Sequence, residues 1–393
     1  MPSKGAFQGR EVVIAEAVRT PIGRGHPEKG IYRDVHPSTL LARTYSELIE
    51  RTGIDPNEVD DVICGCVQQF GEQAMNIGRN AWLEAGLPVE VPATTVDRQC
   101  GSAQQAVNFA AAQIASGVCD VAIGAGVEHM GHISFADGFS VMQEHGAPFT
   151  PALMDRFNLV SQGISAEMIA DQWEIPRPEL DEIAVRSHAL AEQATREGRF
   201  ERETLPFQVN GDTHVTDQGI RAGTSLETLA ELKPAFKEDG KVTAGNSSQV
   251  SDGAAGLLLT TPEKARELGL TPRARIVDQT TVGVDPVIML TGPIPATRKL
   301  LERNSMAISD IDRFEVNEAF ASVLAAWRRE LEPDMDRVNV NGGAIALGHP
   351  LGSTGARLLT TLLHELERSD SERGLVTMCC GGGLGTGTLI ERV

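Results

Sequence analysis

Six cysteines and nine histidines supply most of the reactive side chains of this 393-residue chain. The cysteines are Cys64, Cys66, Cys100, Cys119, Cys379 and Cys380. No two stand at Cys-x-x-Cys spacing, and the close pairs Cys64/Cys66 and Cys379/Cys380 are poor ligand pairs, so no metal site is expected. A free cysteine is ordinarily a small buried hydrophobe. Cys100 differs because Asp97-Arg98-Gln99-Cys100-Gly101-Ser102 falls between an apolar strand and the start of a periodic helix. Unpaired N–H groups at such a start favour a thiolate, which is the nucleophilic form. Spacing alone fits a nucleophile and a buried thiol equally. His349 lies in Gly342-Gly343-Ala344-Ile345-Ala346-Leu347-Gly348-His349-Pro350, whose glycines let a ligand approach the backbone. The other eight histidines read as structural or solvated.

Other catalytic templates fail. Gly240-Lys241 is followed by Val242, so there is no P-loop, and His364-Glu365 leads to Arg368 where a zincin needs a second histidine. No Gly-x-Ser-x-Gly elbow occurs. The cluster Gly381-Gly382-Gly383-Leu384-Gly385 does not fit a dinucleotide fingerprint, which argues against a dehydrogenase.

These residues need elements to hold them. Apolar runs at Glu11–Ala15, Val62–Cys64, Thr94–Val96 and Val121–Ile123 read as strands. Helices are predicted through Leu40–Ile49 and through Ala103–Ile114, the second capped by Gly117. Strands alternating with helices predict α/β layers and a largely parallel sheet. The carboxy-terminal part repeats the scheme: Leu300-Leu301-Glu302-Arg303 matches Leu48-Ile49-Glu50-Arg51 at an offset of 252, and Phe314 falls at the place of Val62. A helix opening at Gly355-Ala356 and a strand at Leu375–Met378 follow. Between the halves, residues 126–245 are more polar and richer in turns, with an amphipathic helix over Glu179–Gly198. An insertion that long is usually functional. The expected division is 1–125 with 246–270 as the first half, 126–245 as an inserted loop domain, and 271–393 as the second half.

Length is ample for a core without staples. Apolar residues at 41% and charged ones at 23% describe a folded soluble chain, and no run reaches the length of a membrane span. Met1–Val18 reads as no secretory signal and Glu391-Arg392-Val393 as no peroxisomal address, so cytoplasm is the expected location. A net charge of -19 with no Lys/Arg run beyond two argues against nucleic acid and anionic membranes. An anionic small molecule remains compatible, since a few arginines and helix starts can hold phosphates.

Six stretches in order resemble the thiolase (acetyl-CoA C-acyltransferase) family. They are Arg19-Thr20-Pro21-Ile22-Gly23, Gln99-Cys100-Gly101-Ser102, Gly245–Ser248 with Asp252–Ala255, Asn317-Glu318-Ala319-Phe320-Ala321, Gly342–Gly355, and Cys379–Gly383. The resemblance implies a thiolase-like fold, two duplicated halves in layered α/β/α/β/α packing with a long loop insertion. It implies Cys100 as the acyl-accepting nucleophile, His349 as its proton acceptor, and Cys379 as the acid/base at the acetyl α-carbon. Cys379 rather than Cys380 fits the family's Cys-x-Gly-Gly-Gly. Asn317, through a water, and His349 would form one oxyanion hole, and the N–H groups of Cys100 and Gly381 the other. Arg221 would meet the nucleotide end of CoA and Ser248 its pantetheine arm; the alternatives are a surface charge and a turn hydroxyl. Met289 and Phe320 would line the acyl pocket or belong to the core. CoA and acyl-CoA are substrates, with no permanently bound cofactor, and a homodimer or homotetramer is implied.

One departure bears on specificity. Short-chain members resemble one another in a His-Met-Gly segment where this chain has Ser161-Gln162-Gly163, which favours longer or bulkier 3-oxoacyl groups. Gln69–Gln73 and Asp336–Asn341 resemble actinobacterial thiolases of lipid or sterol catabolism. The expected reaction is cleavage of 3-oxoacyl-CoA by CoA; the alternatives are condensation of two acetyl-CoA and a silent thiolase-like binding or assembly subunit. Ketoacyl synthases share the fold but resemble a Cys-His-His or Cys-His-Asn pattern, which a second cysteine at 379 opposes.

Overall fold

A computed structural model describes residues 9–393. The first eight residues, part of the first half and of the stretch read as no export signal, lie outside the described residues. The strands are β1 Val13–Arg19, β2 Gly23–Arg24, β3 Asp61–Gly65, β4 Ala93–Val96, β5 Val121–His129, β6 Phe207–Val209, β7 Asp212–His214, β8 Ser251–Thr260, β9 Ala274–Gly283, β10 Arg313–Val316, β11 Arg373–Cys380 and β12 Leu384–Arg392. β6 and β7 pair separately; the others run β10-β11-β12-β9-β1-β8-β5-β3-β4, with β2 added to β8. Only Val13↔Arg275 and Ile14↔Ala274 join β1 to β9, so the sheet is two portions meeting at a narrow seam.

Parallel pairing is confined to β3/β4, β3/β5 and β10/β11. The expectation of a largely parallel sheet is therefore corrected. Helix crossovers make those three pairs, whereas β8, β9 and β12 return antiparallel and hold the middle of the sheet.

Two helices, Ser102–Ser116 and Thr354–Arg368, lie between the portions. One apolar cluster unites Ala103, Ala106, Ala110 and Leu359 with Val12 and Leu257 on one side and Val376 and Ile390 on the other. A helix packed on both sides cannot keep a polar face, and both are buried along most of their length. Helices Pro37–Thr52 and Ile77–Glu84 cover the outer face of the first portion. Pro293–Arg303 and Ala321–Leu331 cover that of the second. This gives the α/β/α/β/α layering.

The offset of 252 runs through the centre: Ser102–Ser116 maps onto Thr354–Arg368 with the same bounds, and the starts of β5 and β11, Val121 and Arg373, correspond too. Asp97–Gly101 and His349–Ser353 are thus equivalent loops of the two halves. The helices that follow them cross at Gly355, where a Cβ would stand 2.3 Å from the Gln104 nitrogen. Only glycine permits that approach.

Candidate active site

The Ser102–Ser116 helix carries the first loop. Gln99, just before Cys100, has φ +50°, an uncommon left-handed conformation for a residue with a side chain. Asp97 Oδ1 accepts from the Gln99 N–H at 2.6 Å, and Ser102 Oγ accepts from the Arg98 N–H at 2.8 Å, so the turn is tied at both ends. Cys100 itself is buried. The end of β11 arrives from the other half: a Cβ on Gly101 would lie 2.7 Å from Cys380 Sγ, and the Gly381 N–H faces Cys100 Sγ. A Cβ on Gly381 would in turn meet Gln162 Nε2 at 2.9 Å and Gln99 Oε1 at 3.2 Å.

The second loop carries His349, also buried. Its own N–H is held by Gln249 O and Ser251 Oγ, both at 3.1 Å. Asn317 follows β10, and its N–H donates to Thr377 O at 3.0 Å, which seats it beside the strand bearing Cys379. Asn317 Nδ2 lies 3.3 Å from His349 Nε2, while its Oδ1 is buried without a hydrogen-bond partner. Glu128, at the end of β5, accepts from the Gly352, Val67 and Gln68 N–H groups and from Gln73 Nε2 at 2.8–3.1 Å. The equivalent strands β5 and β11 thus each reach across to the other half's loop, Glu128 to Gly352 and Cys380 to Gly101.

Burial dominates the electrostatics. It pushes the Cys100 thiol up to about 12, against the N–H groups of Gly381 and Cys100, which favour the thiolate. Burial and then the neighbouring Cys100 and Cys380 sulfurs raise Cys379 well above the ordinary range. Burial, then the Arg357 charge, depresses His349 to about 3. At neutral pH the resting site holds neutral thiols and a neutral imidazole. The expected thiolate stabilisation by the helix start does not prevail. The helix N-cap is Gly101, whose N–H donates to Arg98 O at 3.2 Å and favours the Cys380 rather than the Cys100 thiolate, while desolvation outweighs the donors that remain. Such a site makes charge only when a reacting group brings it.

Around this centre, Arg19 is fully buried, its Nε 2.5 Å from Glu203 and its two terminal nitrogens 2.7 and 2.9 Å from Asp217. The Arg19–Gly23 motif therefore anchors the segment Asp217–Arg221. Arg221 is exposed, and its N–H donates to His188 Nδ1 at 3.2 Å. Gln249 Nε2 joins that segment to the histidine loop through Gly219 O, Ile345 O and Ala346 O. Ser248 is half-buried, its N–H donating to Ala319 O at 3.0 Å beside Phe320. Phe320 and Met289 are buried in the second portion's core cluster. Phe320 meets Phe236 edge-on at 5.9 Å, and the Phe236 ring covers the Cα of Gly163. Ser161 is exposed and its hydroxyl caps the Gln162–Gln172 helix, so of that pair only Gln162 reaches the Cys100–Gly381 centre.

Cys100, Gly381, Gln162 and Cys379 are thus drawn into one centre, with Asn317 and His349 beside it; Arg221 stands on its solvent side. Sequence reasoning missed Gln99, Phe236, Glu128 and Thr354. A bond to Thr354 is visible only as a hydroxyl one turn beyond His349, and Glu128 and Phe236 carry no local signal because their partners are distant in the chain.

An α/β fold of two duplicated halves with cysteines and a histidine at the facing loops defines a class. Residues 12–263 match the thiolase N-terminal domain and residues 270–392 the thiolase C-terminal domain, so the chain belongs to the thiolase family of acyltransferases. Among its relatives, the steroid 3-ketoacyl-CoA thiolase FadA6 of Mycobacterium tuberculosis is 46% identical over 389 residues, 98% of this chain and 94% of that one. The 3-ketoacyl-CoA thiolase of Klebsiella pneumoniae is 45% identical over 98% of this chain and 100% of its own length. The crystal structure of the Bacillus anthracis acetyl-CoA acetyltransferase superposes with a TM-score of 0.88 at 40% identity, covering 99% of this chain and 100% of that one.

Proposed function

We propose that the chain cleaves 3-oxoacyl-CoA with CoA, giving acetyl-CoA and a shortened acyl-CoA. The observation that carries this reading is the meeting of Cys100 with Cys379–Gly381 beside the Asn317–His349 pair in one buried centre. Cys100 gives its proton to His349 and its sulfur bonds to the C3 carbonyl carbon. The oxyanion there is held by the N–H groups of Cys100 and Gly381. The C2–C3 bond then breaks; its electron pair leaves on C2 as the enolate of acetyl-CoA. The enolate oxygen is held by His349 and a water on Asn317, whose unpartnered Oδ1 suits that role, and the Cys379 thiol protonates C2. The acyl group stays on Cys100 as a thioester, its oxygen held by the N–H groups of Cys100 and Gly381. CoA enters, gives its thiol proton to the Cys379 thiolate and attacks the thioester; Cys100 departs and recovers its proton from His349. Every proton and electron pair returns to its start, so CoA acts as substrate and the cycle balances without a resident cofactor.

In this reading Arg221 holds the nucleotide phosphates and Ser248 the pantetheine arm, while Gln162, Met289 and Phe320 bound the acyl group. A glutamine and a capping serine in place of His-Met, together with a relative named as a steroid thiolase, support a bulkier acyl group. The division into 1–125 with 246–270, 126–245 and 271–393 fits the two facing loops under a cover. Association into dimers or tetramers is part of the proposal, supported by β4, which has a strand partner on one edge alone among the described residues. A cytoplasmic location fits as well; no described helix is long and apolar enough to cross a membrane.

The test is CoA-dependent loss of 3-oxoacyl-CoA over a series from acetoacetyl-CoA to a steroid-like thioester, with acyl-enzyme trapped and mapped by mass spectrometry. Turnover rising with acyl size and a thioester on Cys100 are expected. Acyl transfer to another residue, or its retention in Cys100→Ser, overturns the mechanism; turnover of acetoacetyl-CoA alone overturns the bulky-substrate reading.

A further inference from the structure

His349 has a second partner that no motif indicated. Its Nδ1 lies 2.7 Å from Thr354 Oγ1, and the same hydroxyl lies 2.8 Å from Pro350 O, four residues back. A threonine hydroxyl has one proton, and a carbonyl oxygen can only accept. With that proton given to Pro350 O, as threonine at a helix start commonly does, Nδ1 must carry its own proton and donate it to Oγ1. The other side of the ring agrees. Asn317 Nδ2 is a donor 3.3 Å from Nε2, which requires a lone pair there. The opposite tautomer would set two N–H groups against each other and leave Nε2 unable to accept anything.

We propose that Thr354 is a positioning residue that fixes His349 as the Nδ1–H tautomer and so leaves Nε2 unprotonated, as the base for Cys100 requires. The part concerning Cys100 rests on the proposed function; the tautomer does not. Thr354 is suited to the task because it is buried and opens the Thr354–Arg368 helix. Its neighbour Gly355 is pressed against Gln104, so the contact that brings the two halves together also fixes the hydroxyl beside the ring. The hydrogen bond made by one ring nitrogen sets the role of the other.

The experiment compares the full-length protein with Thr354→Val, which keeps the shape and removes the hydroxyl, and Thr354→Ser, which keeps the hydroxyl. Histidine labelled with nitrogen-15 in the ring reports the tautomer, with the His349 signal assigned by its loss in His349→Ala. The expected result is protonated Nδ1 and bare Nε2 in the native protein and in Thr354→Ser, and a mixture in Thr354→Val. Thiolysis of acetoacetyl-CoA should fall about 10–100-fold in Thr354→Val, the range found for partners that orient a ligand or base. The loss should fall on kcat with KM little changed, and Thr354→Ser should restore it. Protonated Nε2 in the native protein overturns the proposal, as does native kcat in a folded Thr354→Val. If Thr354→Val does not fold, the native and serine spectra decide. A native protein that shows the Nδ1–H tautomer yet cleaves no thioester overturns the proposed function and leaves the tautomer assignment standing.

Discussion

Replacing Gly355 by alanine tests whether the crossing of the central helices sets the site. The added Cβ would stand 2.3 Å from the Gln104 nitrogen, 2.6 Å from its Cβ and 2.8 Å from its Cα. The nearest of these is backbone, so no side chain can turn aside; reaching an ordinary contact of 3.4 Å requires the helices to part by about 1.1 Å. Overpacking of this kind costs about 1–3 kcal/mol, which a chain of this size survives folded. Function should suffer more than stability. Thr354 and His349 move with one helix and Cys100 with the other, and a misplacement of about 1 Å at reacting groups costs about 10²-fold. The assay is kcat/KM for thiolysis alongside thermal melting and circular dichroism. Gly117→Ala is the control: Gly117 ends the facing helix, Ser102–Ser116, at φ +83° with nothing within 4 Å of an added Cβ. It should lose about 1–2 kcal/mol from backbone strain and no catalysis. A folded Gly355→Ala with native kcat/KM would falsify the claim that this contact positions the two loops.

Cys379→Ala should still accept an acyl group on Cys100 from a simple acyl-CoA yet fail to break the carbon–carbon bond of 3-oxoacyl-CoA, whereas Cys380→Ala should cleave; single-turnover assays with each variant check this, and full thiolysis by Cys379→Ala would move the role to Cys380. The Cys100 thiol, pushed up to about 12 by burial, is almost wholly protonated at neutral pH. Its thiolate fraction, and so its alkylation rate followed by mass spectrometry of the Cys100 peptide, should climb about tenfold per pH unit from pH 7 to 10. A plateau with a midpoint near that of an ordinary exposed cysteine would show that burial is not the governing cause. Arg19→Met should strand Glu203 and Asp217 without their cation, costing about 3–5 kcal/mol. It should also raise KM for CoA by loosening the Asp217–Arg221 segment; unchanged melting and unchanged KM would remove Arg19 from this role.

Much of the chain was legible from local pattern. Alternating strands and helices, the Gly117 cap and the offset of 252 are properties of short segments, because helix and strand periods and capping need only neighbours in sequence. Cys100, His349 and Cys379 were legible because each sits in a segment whose composition is unusual for its element and matches a family. Strand direction was not legible: a βα unit predicts its own parallel pair, but whether β8, β9 and β12 return antiparallel depends on where the chain re-enters the sheet. Residue roles that join distant parts escaped for the same reason. Glu128 bonding Gly352, Cys380 against Gly101, Phe236 over Gly163 and Arg19 between Glu203 and Asp217 are contacts between segments far apart in the chain. The ionisation states belong to this group as well. A cysteine at a helix start reads from sequence equally as a thiolate nucleophile or a buried thiol, and only the fold shows that the helix's first N–H is taken by Arg98 O while Cys100 is desolvated. Sequence determined which groups exist and which elements carry them. Tertiary structure decided which of them meet and, by removing water, in which charge state they wait.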